Sequence, residues 1–180
     1  MAFRLINIVC AALWLSSCLF GQEVDEYQVK AAFLYNFAKF VEWPPEAFKS
    51  ARDPILVCVL GHNPFGGALE EVIRGKSIDG RSFAFREVSN APQARACQIL
   101  FVSSSDGKRF RALTADLKSA GILTVGETQG FATGGGVINF KLEDGHVRFE
   151  INVDAAEHAQ LRISSKLLGL AQIVKTEKPR

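Results

Sequence analysis

With 21 basic residues against 19 acidic and a formal charge of +2 over 180 residues, the chain offers no electrostatic case for nucleic acid or an anionic membrane surface. A hydrophobic content of 48%, including 14 phenylalanines, suits one well-filled core or an aromatic interaction surface. No repeat, run of like charge or low-complexity tract interrupts it.

Residues 1–21 read as a bacterial export signal. Arg4 precedes the apolar run Leu5 to Leu15, which is short for a membrane span, and small residues follow at Ser16, Ser17 and Cys18. Leu15-Ser16-Ser17-Cys18 looks like a lipobox, so lipid anchoring stands beside the favoured outcome, a soluble periplasmic product cut after Gly21. Residues 22–180 then form one α/β domain working where thiols oxidise and nucleotide cofactors are scarce.

Asp25 is the expected N-cap of a helix through Val41, with Tyr27, Ala31, Leu34, Tyr35, Ala38 and Val41 on one face, and Trp43-Pro44-Pro45 ends it. Pro54 to Leu60 is a continuous apolar run, the pattern of a strand buried on both faces. A helix over Phe65–Arg74 follows, then extended segments Lys76–Ile78 and Arg81–Val88 around the turn Asp79-Gly80. Gln98–Val102 and Ile122–Val125 are two further buried strands, separated by a helix over Gly107–Ser119. Val137–Leu142 and His146–Val153 flank Glu143-Asp144-Gly145, a hairpin signal. A short helix near Asp154 and a longer one over Ser164–Val174 close the chain. Together these predict a single-domain α/β sandwich: a mostly parallel central sheet, helices on both faces, and a C-terminal antiparallel hairpin.

Cys10 and Cys18 belong to the export segment, leaving Cys58 inside the first buried strand and Cys97 at the start of the second. In an oxidising compartment such a pair favours a disulfide, and neighbouring strands bring it within reach; two separately buried thiols are the alternative. No histidine lies at ligand spacing from either cysteine, so no metal is expected.

No catalytic set stands out. Ser103-Ser104-Ser105-Asp106 follows a strand without a G-x-S-x-G elbow, and its hydroxyls are expected to cap the next helix. His62, His146 and His158 are scattered and read as solvated. Gly134-Gly135-Gly136 lacks the lysine and hydroxyl of a phosphate loop and reads as a mobile turn. Gly126 and Glu127, at the carboxyl end of a parallel strand, are the best place for a small-molecule pocket, with loop packing as the alternative. Asn36, Lys39, Asn139, Glu150, Asn152 and Arg162 are polar residues in apolar or motif-like surroundings. They could form a partner-binding or polar network between helix and hairpin, or Glu150 and Asn152 could simply face water.

Lys30-Ala31-Ala32-Phe33-Leu34-Tyr35-Asn36-Phe37-Ala38-Lys39-Phe40-Val41-Glu42-Trp43-Pro44 resembles the opening motif of the YfiR-like family. So does the ending, from Ile138-Asn139-Phe140 through Arg148 to Asn152 and on to Leu161–Leu168. The segments Ile55–Gly61 and Cys97–Val102 also fit. The resemblance implies a small periplasmic, non-enzymatic α/β repressor without a cofactor. Such a repressor binds the periplasmic sensory part of an inner-membrane diguanylate cyclase and lowers cyclic di-GMP, which disfavours biofilm. It further implies sequestration by an outer-membrane lipoprotein, homodimers, and a structural Cys58–Cys97 disulfide. A second cysteine pair that some relatives carry near the chain end is missing here, which puts redox control through that bridge in doubt. A periplasmic small-molecule-binding module feeding a sensor or transporter is the alternative function.

Overall fold

Period-two alternation in three apolar strands divides the interior into two cores. The computed structural model describes residues 18–117 and 120–177. At its centre lie β2 (Ile55–Leu60), β5 (Ile99–Val102) and β6 (Leu123–Gly126). Ile55, Val57, Val59, Ile99, Phe101, Leu123 and Val125 point into the larger core; Cys58, Leu60, Leu100 and Val102 point into the smaller one. Burial on both faces explains why these strands carry no polar alternation.

The sheet has eight strands in the order β10 (Gln172–Val174), β8 (His146–Asn152), β7 (Ile138–Glu143), β6, β5, β2, β4 (Arg81–Val88), β3 (Ser77–Ile78). Its middle pairs, from β4 across to β7, are all parallel. Antiparallel pairs join β3 to β4 at one edge and β7 to β8 near the other, where the edge pair β8–β10 is parallel again. Both hairpin turns hold two residues with positive φ, Asp79 and Gly80 in one and Asp144 and Gly145 in the other. Such turns match the right-handed twist of the strands they join.

The larger core is covered by α1 (Cys18–Phe40), α2 (Ala68–Ile73), α5 (Val153–His158) and α6 (Ser165–Leu168). Ala31, Leu34, Phe37 and Ala38 of α1 are buried, and Phe37 packs 5.7 Å from Phe140 and 5.2 Å from Phe149. Truncating such a ring to alanine costs about 3–5 kcal/mol. The smaller core is covered by α3 (Ala91–Ala94) and α4 (Gly107–Leu117), and here Cys58 and Cys97 form a disulfide with Cα atoms 6.0 Å apart. It ties β2 to the entry of β5, where the Gln98 amide accepts from Leu56 N at 2.9 Å and donates to the Ala47 carbonyl at 2.6 Å.

Several expectations need correction. Asp25 is not an N-cap, because α1 begins at Cys18 and runs through it. The second helix starts at Ala68 rather than Phe65: Gly66 adopts φ +56, and Phe65 turns inward, 4.7 Å from Phe101. The final helix ends at Leu168, capped by Gly169, and residues 172–174 form β10 (Gln172–Val174) instead. The edge of β8 supplies backbone partners in parallel register, Gln172 opposite Glu150 and Val174 opposite Asn152, and β-branched Ile173 and Val174 suit that strand. Val41 leaves the helix to pair with Ile163 in a two-stranded sheet, β1 (Val41–Glu42) with β9 (Arg162–Ile163). The export signal at 1–21, including its lipobox, lies largely outside the described residues. No helix among those described is long and apolar enough to cross a membrane.

Candidate functional site

The carboxyl ends of β5 and β6 meet the middle of α1 around one buried ion pair. Lys30 lies on the face of α1 turned to the sheet, and Glu127 leaves the end of β6; their side chains are 6% and 5% exposed. Lys30 Nζ reaches Glu127 Oε2 at 2.7 Å and also pairs with Glu26 one turn earlier. Glu127 Oε1 accepts from Ser104 N at 3.1 Å and from the Tyr27 hydroxyl at 3.4 Å. The ammonium further lies 4.5 Å from the Tyr27 ring centroid. Both oxygens of this carboxylate are engaged, and through Lys30, Tyr27 and Ser104 the group fastens α1 to the sheet. An ion pair this dry survives only because both partners are satisfied.

Gly126 serves packing. A Cβ at Gly126 or at Gly136 would fall inside the Phe131 ring, which is clamped between the two backbones. Phe131 in turn lies 4.5 Å from Phe110 of α4. The Gly134-Gly135-Gly136 turn is thus needed for close approach as well as for the positive φ of Gly135, which corrects its reading as mere mobility. Gly126 and Glu127 are not among the residues that line the adjoining cavity. That cavity, about 440 Å³, opens one residue later, between Ser104, Lys108 and Arg111 on one side and Thr128, Gln129 and Phe131 on the other. Its volume is within the range of small-ligand sites.

The serine run does not cap α4. Ser103 makes no capping hydrogen bond; its hydroxyl pairs with Ser105 at 2.8 Å, and Ser105 donates to Asp106 at 2.6 Å. Asp106 also takes Arg109 at 3.1 Å. His62, His146 and His158 are exposed and belong to separate elements, and among the described residues no cluster of acidic, histidine and cysteine side chains could hold a metal.

The proposed polar network is split. Asn36 and Lys39 are exposed on α1, so they do not reach the hairpin. Asn152 does not face water: it is fully buried, caps α5 by accepting from Ala155 N at 3.0 Å, and donates to Ala132 O at 2.7 Å and Thr176 Oγ1 at 2.9 Å. Glu150, flanked by β7 and β10 and 13% exposed, pairs with Lys141 at 3.3 Å. Asn139 is buried within hydrogen-bonding reach of the Gly126 and Thr128 carbonyls once its amide nitrogen is turned to them. Arg162 is 87% exposed, and its one ion pair among the described residues is with Glu42, at 3.7 Å. The residues that sequence reasoning missed are Lys30, Tyr27 and Phe131. A lysine inside the apolar stripe of α1, one turn after Glu26, was the available signal for the first.

The sheet, mostly parallel with antiparallel pairs at β3–β4 and β7–β8, defines a mixed α/β protein. The family model described as DUF4154, YfiR/HmsC-like, matches residues 27–172, and the chain belongs to that family. No curated protein matches the chain. Among solved structures, a conserved domain protein from Vibrio cholerae O1 biovar eltor aligns at TM-score 0.50 and 10% identity, covering 67% of this chain and 55% of its own. An ABC domain in complex with L-Trp from Streptococcus pneumonia aligns at TM-score 0.48 and 10% identity, covering 66% and 55%. This chain therefore spans about half the length of either neighbour, and the Vibrio cholerae protein shares its fold.

Proposed function

We propose that the protein is a periplasmic regulator that works by contact. It binds the periplasmic sensory part of an inner-membrane diguanylate cyclase, holds that enzyme inactive, and so lowers cyclic di-GMP. The observation carrying this reading is the YfiR/HmsC-like match over residues 27–172, which includes the α1 motif and the closing strands. The disulfide between Cys58 and Cys97 fits an oxidising compartment, as does the export signal read in residues 1–21. The protein acts as no enzyme in this account. Repression requires tighter binding to the inactive cyclase than to the active one; moving that equilibrium from 1:99 to 99:1 takes about a 10⁴-fold difference in affinity. An outer-membrane lipoprotein that sequesters the repressor and a homodimeric resting state complete the scheme. Deleting the gene tests it: cyclic di-GMP rises and biofilm increases, whereas unchanged levels beside an intact cyclase would refute repression.

A second reading rests on the cavity of about 440 Å³ at the ends of β5 and β6. It makes the protein a small-molecule-binding module that feeds a membrane sensor or transporter. A thermal-shift screen of amino acids and vitamins decides this: stabilisation that grows with ligand concentration supports it, and a flat response removes it.

A further inference from the structure

The exposed side of α1 ends in a charge arrangement that the internal ion pairs leave unused. Lys39 lies in the last turn of α1, where the helix dipole favours a cation. Its ammonium stands 4.3 Å from the centroid of the Tyr35 ring, and Lys76, arriving just before β3, places its own ammonium 4.3 Å from the same centroid. Tyr35 packs edge-on against Phe83 of β4 at 5.5 Å. Two residues earlier on β4, Arg81 covers Phe48 at 3.7 Å while donating to the Ser50 and Asp53 carbonyls at 2.9 Å each. Arg81 is thereby occupied, and the Asp53 carboxylate is held by Ser50 and by the Lys49 and Ser50 amides. Among the described residues, neither Lys39 nor Lys76 forms an ion pair.

Two ammonium ions gathered at one ring repel each other at a distance that salt screens only partly. The ring quadrupole attracts both but neutralises neither. A carboxylate arriving from outside supplies the counter-charge that both ammonium groups lack and takes a charge-assisted hydrogen bond from either. We propose that the Lys39–Tyr35–Lys76 clamp, bordered by Phe83, is the docking surface for an acidic segment of the partner protein. This rests on the preceding reading, in which the partner is the periplasmic domain of a diguanylate cyclase. A lipid surface fits less well, because a net charge of only +2 gives the chain little attraction to an anionic membrane.

The test uses the full exported protein and the purified periplasmic domain of the same organism's inner-membrane diguanylate cyclase, with association followed at low and moderate salt. The wild type binds with an on-rate that falls as salt rises. Lys39→Glu/Lys76→Glu weakens binding at least tenfold, mostly through a slower on-rate, at an unchanged melting temperature. Lys39→Arg/Lys76→Arg, which keeps the charge, binds within a few-fold of wild type. A double glutamate variant that binds like wild type overturns the docking surface and leaves the repressor reading intact. A wild type that binds no such domain refutes both. Charge-dependent binding to phosphatidylglycerol vesicles, without binding to the domain, also overturns the proposal.

Discussion

Reducing the Cys58–Cys97 bridge isolates one term of the fold's stability. The two residues are 39 positions apart, and the chain-entropy model assigns closure of such a loop about 4 kcal/mol at 25 °C. Both half-cystines are at most 1% exposed and already pack within the smaller core, so the freed thiols keep their apolar surroundings. The loss should therefore come from the unfolded chain regaining freedom, with little cavity cost. With a urea m-value of about 2 kcal/mol per molar, the unfolding midpoint falls by about 2 M. Urea titration followed by circular dichroism, with and without reductant, measures it. Cys58→Ala/Cys97→Ala should shift the midpoint by a similar amount, and reductant should leave that variant unchanged. A reduced wild type that unfolds at the same urea concentration as the oxidised protein would refute the argument.

Gly136→Ala or Gly126→Ala drives a methyl into the Phe131 ring and should cost about 1–3 kcal/mol by denaturant unfolding. Adding Phe131→Leu should recover part of that loss, because the two sites share one clash. Lys30→Met strands the Glu127 carboxylate in a dry site and should destabilise by about 3–5 kcal/mol; Lys30→Met/Glu127→Leu should lose less than the single variant. A more stable single variant would contradict the account of that pair. Asp53 is held below the usual carboxylate range, chiefly by the Ser50 hydroxyl and then by the Lys49 and Ser50 amides. Because the folded form favours the carboxylate, its contribution is complete at neutral pH and fades as pH falls through the depressed value. An NMR titration of Asp53 should give a midpoint that moves up in Ser50→Ala, and an unmoved midpoint would refute the assignment.

The architecture was readable wherever one physical pattern dominated. Apolar runs at Ile55–Leu60 and Ile99–Val102 announced doubly buried strands, and Asp79-Gly80 and Asp144-Gly145 announced both turns. The misreadings came from competition between local and distant forces. Leu167, Leu168, Ala171 and Val174 have helical spacing, yet the open edge of β8 draws residues 172–174 into a strand. Glu127 was singled out for its place at a strand end, but its role depends on Lys30, nearly a hundred residues away, a pairing that spacing cannot reveal. Gly126 was singled out for its place at the carboxyl end of a parallel strand; what the strand end does not reveal is that its missing side chain makes room for Phe131. Likewise Asn152 looked like a residue facing water, since alternation along β8 says nothing of the loop carrying Ala132 that covers it.

Repression by contact is tested most directly with the membrane cyclase in proteoliposomes, its periplasmic domain facing outward and cyclic di-GMP synthesis followed as the purified oxidised protein is added. The account predicts that synthesis falls to a low plateau as binding saturates. Synthesis that stays constant through saturation would contradict it.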